Sequence, residues 1–215
     1  MRVQIAFLDP LMNVIPRQGD QNHPLSELFA LLHDRGHEDY FGEPVSQLEH
    51  ACQCAQIAEE NGCDEEIIIA ALLHDIGHLC ALPDDEMMAG LGALRHEQSG
   101  AIYLRSCGFS EKICQLVEGH VQAKRYLTFK DSHYFEQLSE ASRQTLRQQG
   151  GRMTAAEADA FENHPLFGLM VKLRLWDEAA KIVDHPRPDL DHYKAMCLRH
   201  VHNNPVAAPP LSSPL

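Results

Sequence analysis

Apolar residues recur at helical spacing along most of this chain, and no segment alternates apolar and polar positions as a half-buried strand would. The stretch HPLSELFALLHDRG predicts a first helix over about 24–35, ended by Gly36. After a polar loop, HEDYFGEP, a second helix is expected from Pro44, a residue suited to a first helical turn, to Asn61, with Gly62 just beyond. Asp64 then caps EEIIIAALLHDIGHLC, whose apolar residues run all the way round, and this predicts one continuous, buried central helix over 64–80. PDDEMMAGLG reads as a loop. Further helices follow over about 94–107, ended by Gly108, and from the Ser110 cap through EKICQLVEGHVQAKRYL. Another is expected over 132–149, stopped at Gly150 and Gly151. Thr154 and Glu157 form a capping box for the next, which Pro165 breaks before LFGLMVKLRLWDEAAKI resumes to about 183. The pattern predicts a single all-α domain, a helical bundle over 23–200, with an extension at 1–22 and a proline-rich tail at 201–215 expected to be disordered.

Composition narrows the function. The 215 residues suffice for one substantial core, and 44% hydrophobic with 23% charged residues is ordinary for a globular protein. A formal net charge of -13 argues against a nucleic-acid partner, and an anionic substrate would have to be caught by a local positive cluster. The seven cysteines are odd in number, form no C-x-x-C pair and lie largely in apolar helical stretches, so they read as buried reduced thiols of a cytoplasmic protein. No run approaches the ~20 apolar residues of a membrane span.

Against that background the histidines and carboxylates on apolar faces stand out. His74, Asp75 and His78 lie in the central apolar helix, where ionisable groups are costly unless paired. Ile113, Leu116, Val117 and His120 follow at i, i+3, i+4 and i+7, so His120 shares an inward face. Met170, Leu173, Arg174, Asp177 and Lys181 likewise share a face, and an inward Asp177 needs a partner. With His50 and His96, five helical segments offer six nitrogen or oxygen ligands, more than one ion with open positions needs. Such a set without cysteine suits iron or manganese before structural zinc, and Asp75, beside a histidine ligand on the central helix, is the natural bridge between two ions.

His50, the adjacent pair His74-Asp75 and the late Asp177 resemble the H…HD…D pattern of the HD-domain superfamily, an all-α bundle, and His96 and His120 resemble the extra ligands of its dinuclear branch. The chain carries HDIGH, with His78 where cyclic-dinucleotide phosphodiesterases and inositol oxygenase have the lysine of HD-x-G-K, and it has no G-Y-P motif. Tyr40 and Glu43 of YFGEP, the cations Lys124 and Arg174, and the hydroxyls of Ser142 and Thr145 are similar to features of the mixed-valent diiron oxygenases that cleave the carbon–phosphorus bond of hydroxylated aminophosphonates. That resemblance runs from about Leu25 to Lys181.

The resemblance implies two irons, Fe(II) and Fe(III), with O2 as cosubstrate: His50, His74 and Asp177 on one iron, His96 and His120 on the other, Asp75 bridging. It implies that Lys124, Arg174, Ser142 and Thr145 hold the phosphonate, that His78 orients substrate or moves protons, and that Tyr40 covers the open position of the second iron and swings out with Glu43. The implied reaction converts 2-amino-1-hydroxyethylphosphonate to glycine and phosphate, with a trimethylammonio analogue as the sister substrate. A metal-dependent phosphohydrolase and a catalytically silent metal-binding regulator are the readings from other classes.

Overall fold

A computed structural model of the chain describes residues 24–81, 86–88, 90–186 and 189–204; the expected extension at 1–22 and the tail from 205 onward lie outside them. These residues form eleven helices, α1 (Pro24–Arg35), α2 (Gln47–Glu60), α3 (Glu65–Leu73), α4 (Ile76–Leu79), α5 (His96–Ser106), α6 (Glu111–Lys130), α7 (Ser132–Gln137), α8 (Glu140–Gln148), α9 (Ala155–Glu162), α10 (Phe167–Ala179) and α11 (Leu190–Asn203), and no strand beyond two isolated bridges. None of these helices is long and apolar enough to cross a membrane.

The core is built around α3 and α6. Ile67 to Leu73 are all buried, so beyond Glu65 and Glu66 at its start α3 has no solvent face. It packs against α2, α6, α10 and α11, while α5 lies against α4 and α6. Two caps hold the entry of the central elements: Asp64 accepts from the Ile67 amide and Ser110 from that of Ile113. Cys52, Cys54, Cys107, Cys114 and Cys197 are buried, and none of the seven cysteines is in a disulfide.

Several boundaries differ from expectation, each for a local reason. The central helix is not continuous: it stops at Leu73, Asp75 takes φ −104° and ψ 9°, and a short α4 restarts at Ile76. In an unbroken helix successive side chains diverge by about 100°. The interruption lets the consecutive His74 and Asp75 address one space. Helix α2 begins at Gln47 rather than Pro44, because Ser46 and Glu49 form a capping box. The single helix expected over 132–149 is two, since Ser139 caps a new start by accepting from the Ser142 amide. Helix α11 was not expected. Tyr193, Met196, Cys197 and His200 give it a buried stripe, and it carries the domain to Asn203, past the expected limit of 200 and into the segment expected to be disordered.

Helices α4 and α5 approach more closely than a side chain allows. A Cβ on Gly77 would lie 1.9 Å from the His96 carbonyl oxygen and 2.9 Å from the Gly100 nitrogen. This contact sets the position at which α5 presents His96. Gly77→Ala should therefore lower Tm by about 2–12 °C, from an overpacking cost of roughly 1–3 kcal/mol at a few degrees per kcal/mol. Gly100→Ala, whose Cβ would meet its neighbours at 3.1–3.4 Å, should cost less. Calorimetry of both variants checks the ranking; equal midpoints would mean that the helices separate freely.

Candidate metal centre and anion pocket

Four imidazoles converge in the core, and the backbone decides how they face. Their Nδ1 atoms lie against carbonyl oxygens: His50 against Ala180 at 2.8 Å, His74 against Ala71 at 2.8 Å, His96 against Ala93 at 3.1 Å and His120 against Val117 at 2.6 Å. A carbonyl only accepts, so each Nδ1 carries the hydrogen and each neutral ring turns a bare Nε2 lone pair inward. Those Nε2 atoms meet in pairs, His50 with His74 at 3.1 Å and His96 with His120 at 3.0 Å. Two lone pairs at that distance repel unless a positive charge stands beside both. Ligand atoms about 2.1 Å from a shared ion stand about 3 Å apart when adjacent in its shell.

Asp75 lies between the two pairs. Its Oδ1 is 3.2 Å from His96 Nε2 and 3.4 Å from His120 Nε2; its Oδ2 is 3.4 Å from His74 Nε2 and 3.7 Å from His50 Nε2. Asp177 Oδ1 completes the second side, 3.4 Å from His50 Nε2 and 3.8 Å from His74 Nε2, and this buried oxygen has no hydrogen-bond partner. Two sets therefore suit a metal ion, His50, His74 and Asp75 on one side and Asp75, His96 and His120 on the other. The orphaned oxygen and the opposed lone pairs are what a two-metal centre would satisfy.

The charges agree. Burial alone would raise the Asp75 carboxyl, but positive charge at the His74 position and the close approach of the His120 and His96 rings hold it well below the usual carboxylate range. Burial opposes ionisation of Asp177 too, and the Arg174 guanidinium outweighs it. With protein groups alone, burial disfavours a proton on His74, yet the charge of Asp75 holds it well above its ordinary range, so the site calls for a cation at that nitrogen.

Beside the two sets is a small cavity, ≈ 50 Å³, lined by Asp75, His96, His120 and Asp177 on the metal side and by Lys124, Ser142, Thr145, Gln149 and Arg174 on the other. Tyr40, Phe41, Glu43, His78, Met88 and Leu91 close it. Burial and the neighbouring Arg174 push Lys124 down to about 7. A dianion would relieve that repulsion, so the pocket is matched to one.

The HD domain family matches residues 47–164 of this chain. A [1-hydroxy-2-(trimethylamino)ethyl]phosphonate dioxygenase (glycine-betaine-forming) of Leisingera caerulea is 44% identical over 167 residues, 78% of this chain and 85% of the relative. A hydroxymethylphosphonate dioxygenase of Gimesia maris is 38% identical over 194 residues, 88% and 96% of the two chains. An uncharacterized protein, L432, of Acanthamoeba polyphaga mimivirus is 40% identical over 178 residues, 82% and 81%. The chain belongs to the HD-domain phosphonate dioxygenases. Asp177 lies beyond the matched HD segment, and α10 brings it back to the site.

In this HD-domain protein the remaining expected residues are placed as follows. Lys124 Nζ donates to Thr145 Oγ1 at 3.0 Å, and Thr145 donates to the Ser142 carbonyl at 3.2 Å. Arg174, expected as a phosphonate-binding cation, already has its fork engaged: Nε donates to Tyr134 Oη at 2.9 Å, and the two terminal nitrogens pair with Asp177 and Glu178. His78 Nδ1 accepts from the Ala93 amide at 3.1 Å, which leaves its hydrogen on Nε2, and the ring stacks on His96 with centroids 3.9 Å apart. Burial and the neighbouring His96 hold it well below its ordinary range, so it is a neutral donor. A Cβ on Gly92 would lie 2.5 Å from that ring, so only glycine, here at φ 86°, lets the loop cross it.

The loop 39–46 is tied at its base by the Tyr40 amide donating to Val45 O at 3.0 Å and turns through Phe41 at φ 35° and Gly42 at φ 84°. A non-glycine residue there costs about 1–3 kcal/mol, held by the surrounding contacts. Tyr40 lines the cavity together with His96 and His120, its hydroxyl donating to Asp75 Oδ2 at 2.8 Å and its ring stacking on His50 at 3.9 Å. Burial and the Asp75 charge keep the phenol protonated. Glu43 does not cap α2; it accepts from Ser139 Oγ at 2.5 Å and from Lys181 Nζ at 2.9 Å.

Sequence reasoning missed Phe41, Met88, Leu91, Gln149, Tyr134 and Glu178. Glu178 alone had a visible signal, one helical turn after Arg174. Elemental analysis should find two first-row metal ions per chain, with His96→Ala losing one and keeping the other, and Asp75→Asn depleting both. A wild-type protein that holds a single ion would dissolve the two-centre arrangement.

Proposed function

We propose that this dioxygenase cleaves the C–P bond of 2-amino-1-hydroxyethylphosphonate with O2, releasing glycine and phosphate, on a mixed-valent diiron centre held by His50, His74, Asp75, His96, His120 and Asp177. The observation that carries the reading is one small cavity in which a carboxylate facing two histidine pairs meets two buried cations. The irons, when bound, would supply redox chemistry towards O2 and Lewis acidity towards the substrate hydroxyl.

The chain's own residues do the rest. Arg174 offers a planar fork and Lys124 a point charge to the phosphonate, and Ser142 and Thr145 offer hydroxyls to the same oxygens. Holding that group fixes the distance from the anion to the carbon that reacts. His78, a neutral donor on Nε2, can hydrogen-bond an oxygen of the substrate but cannot take an ammonium; the carboxylate of Glu43 is the group suited to the amine. Tyr40 and Phe41 cover the cavity and exclude water.

The trimethylammonio substrate of the Leisingera relative is the second reading, favoured by the 44% identity and by the aromatic cover of Tyr40 and Phe41, which suits a quaternary cation. Parallel assays of phosphate release from the amino, trimethylammonio and hydroxymethyl phosphonates under air and under argon separate the readings. The amino compound should give the highest kcat/KM, and argon should abolish turnover; turnover that persists under argon would make the protein a hydrolase.

Arg174→Ala and Lys124→Ala should each raise KM with metal content intact. Losing one charge-assisted hydrogen bond costs about 1.5–3 kcal/mol, or roughly 10- to 150-fold. Unchanged KM in both variants would remove these cations from the site. Tyr40→Phe should keep its fold and metals yet let the reduced centre oxidise faster in air without substrate, because the ring loses its anchor on Asp75. The rate of oxidation in air, wild type against variant, is the measurement, and equal rates would make Tyr40 a bystander.

A further inference from the structure

The anion pocket is satisfied from within. Arg174 is buried, and besides Tyr134 its partners are the carboxylates of Asp177 and Glu178. The same Glu178 oxygen that pairs with Arg174, Oε2, lies 3.5 Å from Ser142 Oγ. One carboxylate oxygen therefore stands against both a cation and a hydroxyl assigned above to the phosphonate. The other oxygen, Oε1, accepts from Lys181 Nζ at 3.1 Å, and Lys181 in turn reaches Ser142 Oγ at 3.3 Å and Glu43 Oε1 at 2.9 Å. A continuous chain of polar contacts thus runs from Arg174 through Glu178 and Lys181 to the loop that covers the cavity.

Placement points the same way: Glu178 already occupies the Arg174 and Ser142 contacts on the wall of the cavity. Asp177 and Glu178 already fill the Arg174 fork, so a phosphonate arriving there would be a further anion a few ångströms from both, and like charges in a buried site repel strongly.

We propose that Glu178 is an internal stand-in for the substrate anion and that Lys181 relays its displacement to Glu43, so that filling the anion pocket releases the 39–46 loop. The inference rests on the reading of Arg174 and Ser142 as phosphonate contacts, and it makes Glu178 and Lys181 positioning residues. When the anion takes the fork, both oxygens of Glu178 become free to hold Lys181. Glu43 then keeps only Ser139, and the loop, which carries Phe41 at φ 35°, is free to relax. Anion binding would come first and exposure of the centre beneath Tyr40 second.

The test uses the full-length metal-loaded protein and methylphosphonate, which lacks the hydroxyl and cannot turn over. Titration calorimetry should show Glu178→Gln binding it at least about fivefold tighter than wild type, because the competing carboxylate no longer has to be displaced, with Glu178→Asp close to wild type. Amide exchange in 39–46 should speed up when methylphosphonate is added to wild type. In Lys181→Met it should be fast already and change little. Glu178→Gln binding no tighter than wild type, or a wild-type loop whose exchange ignores a saturating ligand, overturns the inference. If Glu178→Gln does not fold, the exchange arm decides alone. Wild-type protein that binds no methylphosphonate overturns the anion pocket itself and with it this inference, an outcome distinct from normal binding without the Glu178 effect.

Discussion

Four hydrogen bonds from imidazole Nδ1 to backbone carbonyls are the constraint on which the rest of the site depends. Three are local, each ring bonding the carbonyl three residues before it, and the fourth ties His50 to Ala180 just after the end of α10. Once those bonds fix the tautomers, four Nε2 lone pairs must point inward, and only positive charge makes their approach favourable. Asp75, set between them by the break after α3, supplies one oxygen to each pair. The same His50 bond draws the end of α10 inward, which delivers Asp177 and, one turn earlier, Arg174.

The pocket beside this centre works against the chain's overall charge. A protein of net charge -13 repels an anion at long range, so capture depends on Lys124 and Arg174 within a few ångströms. Their burial is tolerable because internal carboxylates and hydroxyls pair with them: Asp177 and Glu178 hold Arg174, and Thr145 accepts from Lys124. The helices that carry these groups are held by apolar contacts rather than by the polar site. Helix α10 packs on α6 through Met170 against Gly119, and α6 on α3 within the same continuous core.

The covering loop is held by specific bonds, in contrast to the helices beneath it. Tyr40 is fixed on Asp75 and His50, Phe41 against His78, and Glu43 on Ser139 and Lys181. Each of those partners belongs to the centre or to the anion side, so the loop's position depends on the state of both. A segment held by few apolar contacts and many polar ones is suited to move when its partners change.

The sequence by itself determined the all-α class, the caps at Asp64, Ser110 and Thr154, and the inward placement of His74, His120 and Asp177, because helical periodicity and capping are local and an apolar face fixes which way a residue points; His50 and His96 stood out only in company with the other ligands. The Ser46–Glu49 capping box and the buried stripe of α11 were equally legible in the residues, though the helix starts and ends expected there missed them. Only the tertiary structure decided that α3 breaks at His74 and Asp75, that the Nε2 atoms meet in two pairs around one carboxylate, and that Tyr40 turns to Asp75 Oδ2 and His50. It alone revealed that Glu178 and Lys181 contact Arg174 and Ser142, two of the residues expected to hold the phosphonate. Each of these depends on residues tens of positions apart meeting in a low-dielectric interior, where the partner present, and not the spacing along the chain, sets charge, tautomer and direction.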